Sequence, residues 1–391
     1  MTPPPYEVAD VIRAAGSEFW KRIGKSLPWA QLRVLYAILR CRTAALGGHR
    51  DRCSRCGYQT ISFHSCRNRH CPKCQVNART KWLRKRQQEL LSVGYFHIVF
   101  SVPHSLVPLI WRNKRVLFAL LFRATASALL EVAADPQRLG AEIGFLCILH
   151  TWGQLLQRHP HVHCVVPGGG LSPDHSRWIS SHPRFFLPVK VLSSVFRDKF
   201  LEGLQQAYLS NKLSFSGKCQ ALADGEAFAA FCDTLSNQDW VVYAKPPFGG
   251  PDHVLQYLAR YTHRVAISNH RIVSIHGSDV TFRWKDYAHN NRQCTKTLTC
   301  EQFLCRFLQH VLPKGLPRIR YFGWLANRRR GELLPLCRAL LHQEPPPANE
   351  ADEPQVCHCP RCHGEMCIIE RLTASQLRLL IHGKEYALDS S

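Results

Sequence analysis

Four cysteines, Cys53-x2-Cys56 and Cys71-x2-Cys74, have 14 residues between the pairs. At that spacing two knuckles can turn four thiolates toward one tetrahedral zinc ion, as in a zinc ribbon or treble clef. Gly57 follows the first pair and Pro72 sits inside the second, as tight turns prefer. Cys66, His64 and His70 lie within reach of the same centre, so the choice of four ligands stays open. A fully protein-ligated ion is structural, because catalysis needs an open coordination position. A later run, Cys357-x-Cys359-x2-Cys362-x4-Cys367 with His358 and His363 nearby, holds a single C-x2-C half-site. It reads equally as a second small zinc knuckle or as a free tail.

Two further groups of residues have chemistry to offer. In Arg158-HPHVHCVV-Pro167, residues two apart on a strand share a face, so His161 and His163 point one way and Val162, Cys164 and Val166 the other. Two imidazoles on one rigid strand are a natural half-site for a divalent metal, although an isolated pair is more often structural. Tyr257 and Tyr261, in Pro251-DHVLQYLARYTH, are four apart and share a helix face. Val254, Tyr257, Leu258 and Tyr261 also form a stripe that periodicity alone reads as core. His253 falls on that face, one turn before Tyr257.

The elements that must position these groups follow from pattern and composition. The chain has 391 residues, 45% hydrophobic, enough to bury a real core and to exclude global disorder. Runs such as Val116–Phe122 and Ile143–Leu149 fall short of a bilayer span, and the N-terminal MTPPPYEVAD is not a secretory signal. A cytoplasmic, nucleoid-associated protein with no membrane partner is expected. Strand-like runs (Tyr95–Val102, Ile143–Leu149, Val162–Val166, Trp240–Tyr243, Arg271–Ile275, Val280–Trp284) alternate with helical ones (Val116–Ala134, Val189–Leu209, Pro251–His263, Glu301–Val311). The mixture predicts an α+β fold with a largely antiparallel sheet. A helix and the cysteine cluster precede it in residues 1–90; residues 91–330 form the main unit. An acidic, Pro-rich linker (QEPPPANEADEPQ) and the cysteine-bearing tail occupy 331–391.

A net charge of +23 points to a polyanionic partner. From Arg52 to Gln88 there are ten Lys or Arg and no acid. Within that tract Arg67, Arg69, Lys73, Arg79, Lys81, Arg84, Lys85 and Arg86 are the candidate nucleic-acid contacts. A second group, Arg318, Arg320, Arg328, Arg329 and Arg330, is interleaved with Tyr321, Phe322 and Trp324, a composition suited to single strands with free bases. No Walker-type phosphate loop is present, which excludes an ATP-driven motor in this chain.

Taken together, the Cys53…Cys74 cluster with its Cys66-RNRHCPKC run, His150-TWGQ, His159-PHVHCVVPGGG and Tyr257-LARYTHRVAIS resemble one family. The sequence is similar to the two-tyrosine HUH rolling-circle transposases of the insertion sequence 91 type, over roughly residues 50–290. The resemblance implies a ferredoxin-like antiparallel sheet of HUH endonuclease type, with the histidine strand central and the tyrosine helix packed across it, preceded by a small zinc-ribbon-like domain. It implies Tyr257 and Tyr261 as nucleophiles on single-stranded DNA at the element's ends and on target DNA, through 5′-phosphotyrosine links. His161 and His163 would hold a catalytic Mg2+ or Mn2+, with structural Zn2+ on the cysteines. The third metal ligand is open: His253 is the first choice, ahead of His150, Gln154 or His159. Rival readings are a relaxase or replication initiator, a non-catalytic zinc-ribbon DNA-binding protein, and a transposase using three carboxylates.

Overall fold

The computed structural model describes residues 4–248, 253–254, 265–287, 289–344, 357–382 and 388–389. Its centre is a five-stranded antiparallel sheet. Strands β3 (Tyr95–Ser101), β4 (Gly144–Trp152), β5 (Arg158–Pro167), β8 (Val242–Phe248) and β12 (Ile319–Gly323) lie in the order β12-β4-β5-β3-β8. The histidine-bearing β5 is therefore the middle strand. Val162, Cys164 and Val166 of β5, with Ile98 and Phe100 of β3, enter one core. His161, His163 and Val165 point to the opposite face, as strand alternation requires.

Helices α6 (Lys114–Ala134) and α7 (Val189–Leu209) cover the apolar face. Phe118, Phe122 and Leu129 of α6 and Phe196 and Phe200 of α7 are buried there. Each such side chain contributes roughly 1.5–3 kcal/mol of hydrophobic stabilisation. At 21 residues α6 is long and apolar enough to cross a bilayer, and its apolarity is accounted for by this burial between sheet and α7. At the sheet edge, Gly323 has φ +61°, and a Cβ there would sit 1.7 Å from the Ile143 carbonyl oxygen. Only glycine lets β12 approach β4 so closely.

A second core joins distant parts of the chain. Helices α1 (Val8–Ala14) and α3 (Trp29–Arg40) supply Val11, Leu35 and Ile38. These pack with Val280, Phe282, Phe303 and Phe307 from the sheet β9 (Ile272–His276), β10 (Asp279–Asp286) and β11 (Arg292–Thr299) and from the helix Cys300–Gln309. Segments on either side of the expected division at residue 90 thus share one core. A third sheet, in the order β13-β1-β2-β14, pairs the hairpin β1 (Gly48–Cys53) and β2 (Gln59–Phe63) with β13 (Met366–Leu372) and β14 (Leu388–Asp389). The tail is therefore built into the N-terminal region.

Candidate active site and metal centres

The polar face of the central sheet gathers histidines from three adjacent strands. His150 on β4 lies opposite His161 on β5, and His163 lies between Ile148 of β4 and Val99 of β3. His150, His161 and His163 each offer a ring nitrogen within 4.8 Å of the others, and all three are buried. The runner-up third ligand is the one the fold brings to the pair. His253, the first choice, is exposed and outside this group. The side chain of Gln154 turns instead to β10, donating to Tyr287 Oη at 3.3 Å. His159 contributes its carbonyl oxygen, 2.8 Å from His161 Nδ1.

His97 on β3 completes the network, and the sequence reading missed it. Its Nε2 lies 2.8 Å from His163 Nδ1, while His163 Nε2 lies 3.0 Å from His150 Nδ1. Burial pushes the His97 and His161 pKa values down to about 3 and that of His163 well below its ordinary range. All three imidazoles are thus held neutral with lone pairs available, the form in which histidine binds metal.

Tyr257 and Tyr261 lie outside the described residues. On one side of them, Val254 is fully buried against Tyr95, Leu146, Ile148 and Val165 on the histidine face. On the other, the Val265 amide donates to Gln75 Oε1 at 3.3 Å.

The cysteines correct the expected pairing. Cys53 and Cys56 do not meet Cys71 and Cys74; each pair is completed by other thiols. Cys71 and Cys74 open helix α4 (Pro72–Gln87) and join Cys41, just past α3, and Cys66 from the intervening loop. Cys74 Sγ lies 3.5 Å from both Cys41 Sγ and Cys66 Sγ. Hydrogen bonds among these thiols push the Cys74 pKa down and those of Cys66 and Cys71 up, so the sulfurs share their protons as one group. Cys53 and Cys56 group instead with Cys359 and Cys362 of the tail. The physical reason is that a C-x2-C turn presents two thiolates to any matching half-site, and strand pairing between β1 and β13 chooses the partner. His70 is no ligand: its Nε2 accepts the Leu312 amide at 3.2 Å.

A cleft of about 1140 Å³ opens between the zinc loop, α4 and the β12 edge of the central sheet. Arg42, Arg67, Lys81 and Arg84 line it, with Trp82, Val265 and Tyr321. Among the described residues no carboxylate pairs with Arg67, Lys81 or Arg84. Other basic residues expected to meet nucleic acid serve the fold. Arg69 donates to the carbonyls of Leu312, Pro313 and Leu316. Lys73 pairs with Glu7 at 2.8 Å. Arg86 pairs with Glu89, lies over the rings of Trp82 and Tyr321, and donates to Tyr321 Oη. In the second basic group, Arg329 pairs with Glu142, Arg330 with Glu89, and Trp324 is fully buried. Arg79 and Lys85 lie on α4.

Comparison with known proteins gives two family matches and two named relatives. Residues 144–332 match the family described as "Putative transposase", and residues 11–102 match the "Transposase zinc-binding domain". The chain is 50% identical over 378 residues to "Putative transposase y4qJ" of Sinorhizobium fredii (strain NBRC 101917 / NGR234), covering 93% of this chain and 95% of that protein. It is 28% identical over 318 residues to the transposase for insertion sequence element IS801 of Pseudomonas savastanoi pv. phaseolicola, covering 78% and 72%. These matches define a transposase that carries its own zinc-binding domain. The chain belongs to the insertion sequence 91 type family of transposases, enzymes that cleave DNA and transfer strands.

Proposed function

We propose that this transposase cuts and rejoins single-stranded DNA at element ends by two-tyrosine HUH chemistry, with Tyr257 and Tyr261 as nucleophiles. The observation that carries the reading is the buried three-histidine group on the middle strand, on the face that Val254 covers just ahead of the tyrosines. A ferredoxin-like HUH sheet fits the strand order around β5.

The three imidazoles could hold a divalent ion; the family resemblance implies Mg2+ or Mn2+, of which Mn2+ is the better match to nitrogen donors. His150, His161 and His163 are buried and mutually close, and burial holds His161 and His163 neutral. His161 donates Nδ1–H to the His159 carbonyl, which leaves Nε2 free to ligate. His163 donating Nδ1–H to His97 Nε2 likewise keeps the lone pair on the Nε2 that faces His150, so His97 is a positioning residue. When bound, such an ion stabilises charge on the scissile phosphate as a Lewis acid.

The phenol has a pKa near 10 and is a weak nucleophile until it is deprotonated. Tyrosine Oη forms a bond to phosphorus as the bond from phosphorus to the 3′ oxygen breaks. The phenolic proton is lost and the departing oxygen takes one up, giving a 5′-phosphotyrosine and a free 3′-OH. The reverse attack by a 3′-OH rejoins the strand without water or ATP, and two tyrosines allow two successive links. Arg42, Arg67, Lys81 and Arg84 would hold the strand's phosphates in the cleft.

Incubation with end-bearing single-stranded DNA tests this directly. The parent protein should form a covalent adduct, and the Tyr257→Phe/Tyr261→Phe double variant should bind the DNA but form none. A normal adduct from the double variant would overturn the reading. Phe keeps the ring, so loss of the adduct separates chemistry from packing.

A further inference from the structure

The tail returns to the N-terminal hairpin and meets it as a matched half-site. β13 runs antiparallel to β1 from Gly48 opposite Leu372 to Cys53 opposite Met366. Beyond that pairing two knuckles face each other, and their backbones repeat bond for bond. The Cys53 amide donates to the Tyr58 carbonyl and the Cys359 amide to the Gly364 carbonyl, each at 2.8 Å. Gly57 donates back to Cys53 and His363 to Cys359. Both donors have positive φ, +70° and +57°. The amides of Arg55 and Arg361 each point at the first sulfur of their knuckle, at 3.4 Å. Such N–H···S contacts stabilise thiolates.

The four sulfurs are placed for a shared ion. Cys53 Sγ lies 3.5 Å from Cys362 Sγ, and Cys56 Sγ lies 3.6 Å from Cys359 Sγ. Two sulfurs on one tetrahedral zinc, each about 2.3 Å from it, are separated by about 3.8 Å. A Cβ on Gly364 would come within 2.7 Å of Arg55 Cβ and 3.1 Å of Cys53 Sγ, so the two knuckles close on each other with a glycine there. Cys357 and Cys367 are exposed and stay out of the group. Half of this cluster lies beyond residues 11–102, where the zinc-binding family match ends.

We propose that Cys53, Cys56, Cys359 and Cys362 bind a second structural zinc ion, which clasps the tail onto the N-terminal hairpin independently of the Cys41, Cys66, Cys71 and Cys74 centre. The geometry makes the zinc-binding region a composite of both ends of the described chain.

Zinc counting on the full-length protein tests the clasp without reference to DNA cleavage. The parent should carry two zinc ions per chain, Cys362→Ser one, and Cys362→His, which keeps a ligand, two. One zinc in the parent, or two in Cys362→Ser, would overturn the assignment. Alkylation mapped by mass spectrometry needs no variant. Cys56 and Cys362 should resist modification until a chelator is added, while Cys357 and Cys367 react at once. Equal reactivity of Cys56, Cys362 and Cys357 in untreated protein would also overturn it. Neither outcome bears on the tyrosine reading.

Discussion

The two thiol centres use the same ligand but are assembled in opposite ways. Cys41, Cys66, Cys71 and Cys74 come from the end of α3, one loop and the start of α4, so the centre closes locally. The other centre joins knuckles whose cysteines Cys56 and Cys359 are 303 residues apart. Ligand spacing identifies half-sites in both cases but does not say which halves meet. A long-range strand pair decides that in one centre, and closeness along the chain decides it in the other.

The contrast can be broken or sharpened by experiment. The largest effect should follow Cys74→Ser. It removes a ligand from the centre on which the α3–α4 junction is built, and small zinc units depend on their metal for folding. A loss above about 4 kcal/mol is expected, read as insoluble protein or a much lower denaturation midpoint. Cys362→Ser should lose its zinc yet leave the main unit's midpoint within about 1 kcal/mol, since the central sheet makes no use of the tail. Similar losses in both variants would mean that the centres are not separable.

A smaller, pH-dependent effect distinguishes the local centre from the one built with the tail. His70 accepts the Leu312 amide, and burial holds its pKa at about 3, below the ordinary 6.5. A depressed histidine contributes stability that is fully present above pH 6.5 and is lost progressively as pH falls toward 3. At about 1.4 kcal/mol per pKa unit this amounts to a few kcal/mol over the whole range. Denaturation midpoints between pH 7 and 5 should fall in the parent and fall less in His70→Gln, which keeps an acceptor but does not titrate. Identical slopes would assign the acid sensitivity elsewhere.

The smallest effects concern the cleft beside that centre. Alanine at Arg67, Lys81 or Arg84 should each lower the slope of log affinity against log salt by about 0.7 for single-stranded DNA. Lys73→Ala should leave the slope unchanged, because Lys73 is already paired with Glu7. A slope that changes equally in all four would show that the tract acts as diffuse charge.

Much of the central sheet was legible because its strands alternate. The run Arg158–Pro167 announced both the strand and the side on which its histidines stand. β12 was not legible. Its arginines read as a surface patch, whereas Arg320 lies over the Phe122 ring and the following Trp324 is buried. His97 carried no signal either, as a lone histidine inside Tyr95–Ser101; only the register of β3 on β5 brings it to His163. His150 was visible as an option, but its place beside His161 follows only from β4 being the neighbour of β5. The basic residues differ in a way that the sequence does not show. Composition registers charge without showing that Arg69, Lys73 and Arg86 already have partners.

The pairing of β1 with β13 also sets an order of events during synthesis. Residues 48–53 leave the ribosome long before their neighbours 366–372 exist. Through most of translation β1 has only β2 beside it, and its outer edge must wait. By then the sheet that carries the histidines is complete in the growing chain. A nascent or prematurely stopped product would hold the histidine-bearing strands without a finished zinc-binding region. Full assembly of that region thus reports that the message has been read through to the tail.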